Sequence, residues 1–275
     1  MIRHGGKILS DQLLKLGVRR VFSVPGESFL AALDGLYDSG IPNIVCRQEG
    51  GAAMMAEAYG KMTGKPGVCF VTRGPGAANA SAGIHIAMQD STPMVLFVGQ
   101  IDNRHTDRET FQEVDYKAMF GGLAKWVTQV NDTDRLPEYI GRAFAVAMSG
   151  RPGPVVLALP ENMLSAAADV PDLRLTKRLK SVLSADTLQA IMHALAESER
   201  PLIVAGGPHW NVEARTDLQA FAERQQVPVA LGFRRQDYMD NHHANYAGDL
   251  NVGINPKLAA RVRDADFLLL LGTRL

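Results

Sequence analysis

The sequence lacks an excess of either charge and contains almost no cysteine. Its 275 residues carry 29 Lys and Arg against 29 Asp and Glu, so the formal net charge is zero. Binding to nucleic acid or to an anionic membrane requires a clear basic excess, and neither partner is expected. Two cysteines, Cys46 and Cys69, are too few for a disulfide framework or a cysteine-based metal site. Each lies in an apolar run, which predicts buried, reduced thiols in a cytoplasmic protein without a metal site of its own.

Long hydrophobic runs are also missing. No segment approaches the roughly 20 apolar residues of a membrane span, and the N-terminus has no apolar stretch of about 7–15 residues as in a signal peptide. These absences exclude the membrane and secreted classes. What is present is a chain that is 46% hydrophobic with 26 glycines. At about 150 residues per domain, this length predicts one or two globular domains.

Short β-branched runs recur along the first 160 residues, and most lead through a Gly- or Pro-containing turn into a helical pattern. The runs are at 21–24, 43–46, 68–72, 94–98 and 155–159, and the helical patterns are at 29–37, 49–62, 77–88 and 136–148. Strands that are apolar without alternation are covered on both faces. Repeated strand–turn–helix units therefore predict an α/β domain over residues 1–162, with a doubly wound parallel sheet of five or six strands.

Residues 163–184 lose this periodicity and predict a linker, in which the basic run 177–180 is interpreted as a solvated connector. A second, Rossmann-like α/β domain is predicted over 185–275. Its helices are expected at 185–198 and 218–225, and its strands at 201–205, 227–231 and 267–271. The segment 272–275 follows the last predicted strand without a returning helix, so this domain is expected to be incomplete.

Three turns that follow strands are candidates for chemistry, because ligands bind beyond the carboxyl ends of parallel strands. Pro25 and Gly26 form a tight turn, which alone is an ordinary strand ending. Gly74 and Pro75 allow the backbone to approach a ligand closely. Their loop, TRGPGAANA, is neither G-x-G-x-x-G nor a Walker loop with its lysine, and it gives little support for nucleotide-phosphate binding.

Glu49 begins the third of these segments, between Cys46 and a run of Gly, Ala and Met. Two interpretations are open from the residues alone. An acid in the first turn of a helix is stabilised by the helix macrodipole, so Glu49 could serve only to start the helix. Alternatively, its apolar neighbours predict a poorly hydrated carboxylate of the kind used for proton transfer near neutral pH.

Six segments occur together in one order: VFSVPGESFL, CRQEGGAAMMAEAYGKMTGKPGV, TRGPGAANA, DSTPMVLFVGQ, TFQEVD and SGRPGPVVLALPENM. Their order and spacing resemble the thiamine diphosphate enzymes, in particular the acetolactate synthase-like group. The resemblance is dense over the first 160 residues and thinner beyond 185. It implies a pyrimidine-binding domain followed by part of a central domain. The implied activity is that of a carboligase or decarboxylase of a small 2-oxo acid, in a homodimer or homotetramer.

The resemblance also implies roles for individual residues. Glu49 matches the glutamate that hydrogen-bonds N1′ of the cofactor's aminopyrimidine, and Gln112 matches a glutamine that faces the reacting centre. Further matches lie on the loops around that ring: Pro25, Gly26, Gly74, Pro75 and Asn79. Arg151 matches a position that contacts flavin in the members containing FAD.

Several residues depart from the family pattern. Glu27 and Ser28 replace the small residues that many acetohydroxyacid synthases carry after the Pro-Gly turn, and Gln48 stands where those enzymes usually have histidine. These departures leave open a substrate different from theirs. The turn 205–210 lacks the full glycine run, which weakens the expectation of FAD. The family's GDG…NN motif, which holds the diphosphate and Mg²⁺, does not occur, so the metal is expected on a domain absent from these residues. The alternative is a non-catalytic fragment or split subunit that folds and dimerises but needs a separate domain for diphosphate and Mg²⁺.

Overall fold

A computed structural model describes residues 1–174 and 182–274. The predicted connector at 177–180 lies outside the described residues, as does Leu275. Contacts between Cα atoms divide the chain into two units, Met1–Arg178 and Leu179–Leu275. The division falls inside the segment 163–184 that the sequence predicts as a linker.

The first unit is built on a six-stranded parallel sheet. The strands of this unit are β1 (Arg3–His4), β2 (Val21–Ser23), β3 (Asn43–Val45), β4 (Gly67–Val71), β5 (Met94–Gln100), β6 (Trp126–Gln129), β7 (Pro154–Pro160) and β8 (Ala167–Ala168). The sheet has the order β3-β2-β4-β5-β7-β6, and β1 pairs with β8 in a separate antiparallel ribbon. All pairs within the sheet are parallel, which confirms the predicted sheet.

Helices cover both faces of this sheet. They are α1 (Gly5–Lys15), α2 (Leu30–Tyr37), α3 (Glu49–Thr63), α4 (Pro75–Asp90), α5 (Tyr116–Phe120), α6 (Leu136–Met148) and α7 (Glu161–Ser165). One face packs α1, α2 and α6 around phenylalanines, with the Phe70 and Phe97 rings stacked at 4.8 Å between centroids. The other face packs α3 and α4 through alanines such as Ala53 and Ala80. The doubly wound prediction is therefore correct.

The degree of burial explains which strands have the strongest apolar runs in the sequence. Every residue of β4, β5 and β7 is buried, because these strands lie inside the sheet and between two helix layers. The edge strand β6 is only half-buried, and its sequence WVTQ carries a weaker apolar signal. It is the sixth strand of a sheet for which the sequence predicts five or six.

Two features of the first unit have only a weak signal in the local sequence. Helix α1 begins at a Gly-Gly pair, where helix propensity is low, and His4 caps it by accepting a hydrogen bond from the Lys7 amide. After β7, the chain forms α7 and then β8, so ordered structure continues to Ala168 within the predicted linker.

The second unit is a smaller parallel α/β layer. Its strands are β9 (Pro201–Ala205), β10 (Val229–Gly232), β11 (Tyr246–Leu250) and β12 (Phe267–Leu271), and its helices are α8 (Ala185–Glu197), α9 (Val212–Gln225) and α10 (Pro256–Asp264). The sheet order is β11-β10-β9-β12, with all pairs parallel. Helix α9 begins six residues before the predicted residue 218, because Asn211 caps it there, and the buried side chains from which the apolar pattern arises start only at Leu218.

No helix within residues 1–174 and 182–274 is long and apolar enough to cross a membrane.

Helices α1 and α2 meet through two glycines, and this contact gives a test of the fold. A Cβ added to Gly6 would lie 1.7 Å from the Ala31 carbonyl oxygen, and one on Gly35 would lie 2.2 Å from the Gly6 oxygen. Gly6→Ala should therefore lower the free energy of unfolding by about 1–3 kcal/mol or more, the cost of overpacking. Urea unfolding measures the change.

The matched control is Gly51→Ala, also within a helix. A Cβ there meets nothing within 4 Å. Alanine has the higher helix propensity, so this variant should be neutral or more stable by up to about 1 kcal/mol. Equal destabilisation by both substitutions would contradict the packing described for α1 and α2.

Candidate active site

The carboxyl edge of the first sheet brings the three candidate turns together. The turns follow β2, β3 and β4, which are neighbours in the order β3-β2-β4. Since all three strands are parallel, their ends lie at one edge, which is where ligands bind in such sheets.

Glu49 lies in the first turn of α3, and its carboxylate contacts the first turns of α4. Asn79 Nδ2 donates a hydrogen bond of 2.9 Å to Glu49 Oε2. The start of α3 is fixed by Gln48, whose side-chain oxygen accepts from the Gly51 amide at 2.9 Å. Glu49 is half-buried. The structure thus pairs one carboxylate oxygen of Glu49 and leaves Oε1 near Gly76, 3.4 Å from where a Cβ on that glycine would lie.

Glycines form a cradle beside this carboxylate. A Cβ on Gly26 would lie 2.5 Å from Thr72 Cβ, and one on Gly76 would lie 2.8 Å from Thr72 Cγ2. Gly74 has φ of +60°, a region that favours glycine, and a Cβ there would lie 2.9 Å from Gln112 Cβ. The lack of side chains at these positions lets the turns after β2 and β4 pack closely against Thr72 and Gln112, next to Glu49.

Gln112 reaches the cradle from the loop between β5 and α5. Its own φ is +65°, a conformation that is uncommon outside glycine. The loop is braced by Glu113, whose carboxylate accepts from the Asp107 amide at 2.9 Å and from the Thr110 amide at 3.3 Å. Beyond the loop, the buried Tyr116 hydroxyl accepts a 3.0 Å hydrogen bond from the Gly74 amide.

Arg151 does not join this group. It lies just before β7, at the amino edge of the sheet, and its guanidinium donates to Ser91 Oγ at 2.8 Å and to the Met88 carbonyl at 2.6 Å. Both partners are at the C-terminal end of α4. The other predicted site residues share the carboxyl edge: Pro25, Gly26, Glu49, Gly74, Pro75, Asn79 and Gln112. A contact of Arg151 with flavin stays a prediction.

Sequence reasoning missed the buried Arg73 as a site residue. Its Nη2 lies 2.8 Å from Glu27 Oε1, and its Nη1 pairs with Glu161. Next to it, Ser28 Oγ hydrogen-bonds Thr72 Oγ1 at 2.8 Å. A signal was present, because a charged residue at the end of an apolar strand must find partners when it is buried.

Within the described parts of the chain, no group of three or more His, Cys, Asp or Glu side chains is arranged to hold a metal ion.

The two parallel sheets and the glycine-rich carboxyl edge define an α/β protein of the class that binds ligands beyond its strand ends. Comparison with protein families gives the particular family. Residues 3–119 match the thiamine pyrophosphate enzyme N-terminal TPP binding domain, and residues 188–275 match the thiamine pyrophosphate enzyme central domain. The chain belongs to the thiamine pyrophosphate enzymes, whose cofactor is also called thiamine diphosphate.

Individual relatives agree with this family. The chain is 31% identical over 271 residues to the acetolactate synthase isozyme 2 large subunit of Escherichia coli (strain K12), covering 98% of this chain and 50% of that protein. It is 33% identical to the acetolactate synthase large subunit of Lactococcus lactis, with coverages of 98% and 48%. It is also 33% identical to the mitochondrial acetolactate synthase of Schizosaccharomyces pombe, with coverages of 99% and 43%. The chain therefore spans about half the length of the curated relatives it matches.

The buried tyrosine beside Gly74 predicts a pH dependence of stability. Burial raises the pKa of Tyr116 from 10.0 to about 12, although the Gly74 amide and the charge of Arg73 oppose the rise. Between these values the unfolded chain loses the tyrosine proton while the folded chain keeps it, so stability should fall as pH rises from about 10 to 12. Two pKa units correspond to about 2–3 kcal/mol.

Urea unfolding of Tyr116→Phe over this pH range measures the effect. The variant should lose part of the alkaline slope, although it is less stable at neutral pH because the Gly74 amide loses its acceptor. Tyr37→Phe is the control, since this side chain is 87% exposed. If Tyr116→Phe and the wild type have parallel slopes, Tyr116 is not held protonated by the fold.

Proposed function

We propose that this chain is the N-terminal portion of a thiamine diphosphate-dependent carboligase or decarboxylase, of the acetolactate synthase-like kind, acting on a small 2-oxo acid. The observation that carries the proposal is the Glu49–Asn79 pair beside the glycine cradle, inside the region that matches the TPP binding domain. The names of the relatives support the same activity class.

The residues of the cradle fit the aminopyrimidine ring of the cofactor. Gly26 and Gly76 carry no Cβ, and Glu49 Oε1 lies 3.4 Å from where a Cβ on Gly76 would be, so a ring held beside these turns would have the carboxylate close to it. When bound, thiamine diphosphate supplies the electron sink that lets bonds next to a carbonyl carbon break and form. The protein's part is to hold the ring, orient it and control one proton.

Each predicted residue then has a separate task. Asn79 holds Glu49 Oε2, which leaves Glu49 Oε1 as the oxygen that would share a proton with a ring nitrogen. Gly74 and Pro75 shape the loop that borders the ring, and Pro25 with Gly26 borders it from the neighbouring strand. Gln112 lies against Gly74, and its proposed task is to face the reacting centre with its amide. A half-buried carboxylate in this position acts as a general acid–base partner, because proton transfer needs a group within hydrogen-bond reach.

The remaining groups of the active site are assigned to other parts of the assembly. We propose that Mg²⁺ and the diphosphate are held by the portion of the relatives' length that this chain does not match, and that FAD, if bound, contacts Arg151. A second copy of the subunit completes the site. Exposed methionines on α3 support such a contact, because Met54, Met55 and Met62 are 38%, 43% and 81% exposed on the helix that begins with Glu49.

A non-catalytic fragment or split subunit is the second candidate. It is favoured by the length comparison, in which this chain matches about half of each relative. The chain would then fold and dimerise, and it would gain activity only when a separate protein supplies the diphosphate and Mg²⁺ site. Mixing the chain with such a partner, and measuring whether decarboxylation of a 2-oxo acid appears, separates the two candidates.

Glu49→Gln tests the assignment of the acid–base residue. In the enzyme complete with its diphosphate-binding part, turnover should fall by about 10²–10⁴-fold at saturating cofactor, the usual scale for a lost acid–base partner. Steady-state decarboxylation of a 2-oxo acid gives the rate.

Glu138→Gln is the matched control for that variant. Glu138 is also an acid in the first turn of a helix, but it follows β6 at the far end of the sheet and pairs with Arg135. Its replacement should leave turnover unchanged. Turnover of Glu49→Gln within threefold of the wild type would remove Glu49 from the mechanism.

The 275-residue chain by itself should bind thiamine diphosphate more weakly than about 1 mM. The cradle offers the ring a few hydrogen bonds, each worth roughly 0.5–1.5 kcal/mol net. A Kd of 1 mM needs about 4 kcal/mol after the entropy of association is met. Calorimetry with thiamine diphosphate and Mg²⁺ measures the affinity, and a micromolar Kd would show a diphosphate site within these residues.

A further inference from the structure

Arg73 connects three turns at the carboxyl edge of the first sheet. It is the second residue after β4, and only 9% of its side chain is exposed. One end of the guanidinium pairs with Glu27 after β2, and the other pairs with Glu161 after β7. Strand β5 lies between β4 and β7, so the side chain reaches across the end of β5.

The turn that carries Glu27 lies against β5 itself. Glu27–Phe29 forms a single 3-10 turn, and a Cβ on Gly99 of β5 would lie 1.9 Å from Ser28 Oγ. Ser28 Oγ also accepts a hydrogen bond from the Arg73 amide at 3.3 Å. The missing side chain at Gly99 therefore lets the turn cross the sheet edge, and the backbone and side chain of Arg73 both hold it there.

We infer that Arg73 is a positioning residue: by pairing with Glu27 and Glu161, it fixes the Pro25-Gly26 turn and the Gly74 turn at the separation that the cofactor ring requires. The two turns are the walls of the cradle: the Pro25-Gly26 turn adjoins Glu27, and the Gly74 turn adjoins Arg73 itself. The inference rests on the proposed function, because the distance between the two turns matters for binding only if the cofactor ring lies between them.

The chemistry of the guanidinium suits this task. Arginine presents separate nitrogens in a rigid planar fork, so it can bind two carboxylates in fixed directions, whereas lysine has one ammonium point charge. Within the described residues, Arg73 Nε is buried without a hydrogen-bond partner. A buried cation with an unpaired donor depends on its remaining partners, so loss of either carboxylate should loosen the turns.

Hydrogen exchange of the chain without cofactor tests the inference directly. Arg73→Met removes the charge and keeps a long apolar side chain. The amides of residues 26–29 and of Gly74 should then exchange about tenfold faster or more, because local opening of the turns becomes easier. The amides of β5 should keep their wild-type rates.

Arg3→Met is the matched control. Arg3 is also a mostly buried arginine that pairs with two carboxylates, Asp11 and Asp172, and both lie away from the cradle turns. This variant should accelerate exchange near residues 167–172 and leave residues 26–29 unchanged. Unchanged turn amides in Arg73→Met, or equal acceleration in both variants, would overturn the inference.

A milder variant covers the case in which Arg73→Met does not fold. Glu27 is exposed on its outer side, with 69% of its side chain accessible, and Glu27→Gln weakens only the link to the Pro25-Gly26 turn. Exchange at residues 26–29 should rise by about threefold or more while Gly74 is less affected. No change at residues 26–29 in Glu27→Gln would also overturn the inference.

Kinetics of the complete enzyme separate this role from a failure of the proposed function. Arg73→Met should raise the half-saturating thiamine diphosphate concentration by about tenfold, a larger factor than its effect on turnover at saturation, and Arg73→Lys should restore part of the loss. Glu49→Gln should instead lower turnover at saturation more than it raises the half-saturating concentration.

If Glu49→Gln leaves turnover intact while the exchange result holds, the proposed function fails and the positioning of the turns stands. If Arg73→Met changes turnover but not half-saturation, the positioning role is wrong.

Discussion

The close approach of α3 to α4 is the constraint on which the candidate site depends. A Cβ on Gly83 of α4 would lie 2.5 Å from the Ala53 Cβ of α3, and one on Gly50 would lie 3.1 Å from the Asn79 carbonyl oxygen. Only small residues permit helices to pack so closely. Because both helices begin at the carboxyl edge of the sheet, this contact sets the distance between Glu49 and Asn79, and thereby the orientation of the carboxylate. A larger residue at this contact would separate the helices and change the site without touching either functional group.

The parts of the fold that were predictable are those with a strong local signal. Helix α6 (Leu136–Met148) and strands β9 and β12 match their predicted bounds, because each combines a clear apolar pattern with Gly, Pro or Ser at its ends. Helix α1 and strand β6 are stabilised by tertiary contacts more than by propensity: α1 through its glycine contact with α2, and β6 through pairing with β7. Such contacts join distant parts of the chain and leave little trace in a local window.

Some residues of the candidate site were likewise predictable from the sequence, and others were not. The glycine turns and Glu49 were recognisable because their residue types are unusual at strand ends and because the six segments resemble one family. The left-handed backbone of Gln112 could not be predicted, because no residue near it in the sequence requires a φ of +65°. The conformation accompanies a close contact with Gly74, which is distant in the sequence. The Arg73 cluster joins residues 27, 73 and 161, which are separated by 46 and 88 positions, and only the sheet order brings them together.

Arg151 and Lys125 bind the C-terminal ends of two helices at the amino edge of the first sheet. Arg151 donates to carbonyls at the end of α4, and Lys125 donates in the same way to the Val146 and Ser149 carbonyls at the end of α6. Cations at these positions neutralise the negative poles of the helix dipoles. Each cation also joins a helix end to the segment that leads into a strand, since Lys125 precedes β6 and Arg151 precedes β7. Removing either side chain would therefore release a helix end and the start of a strand together, at the edge of the sheet opposite the candidate site.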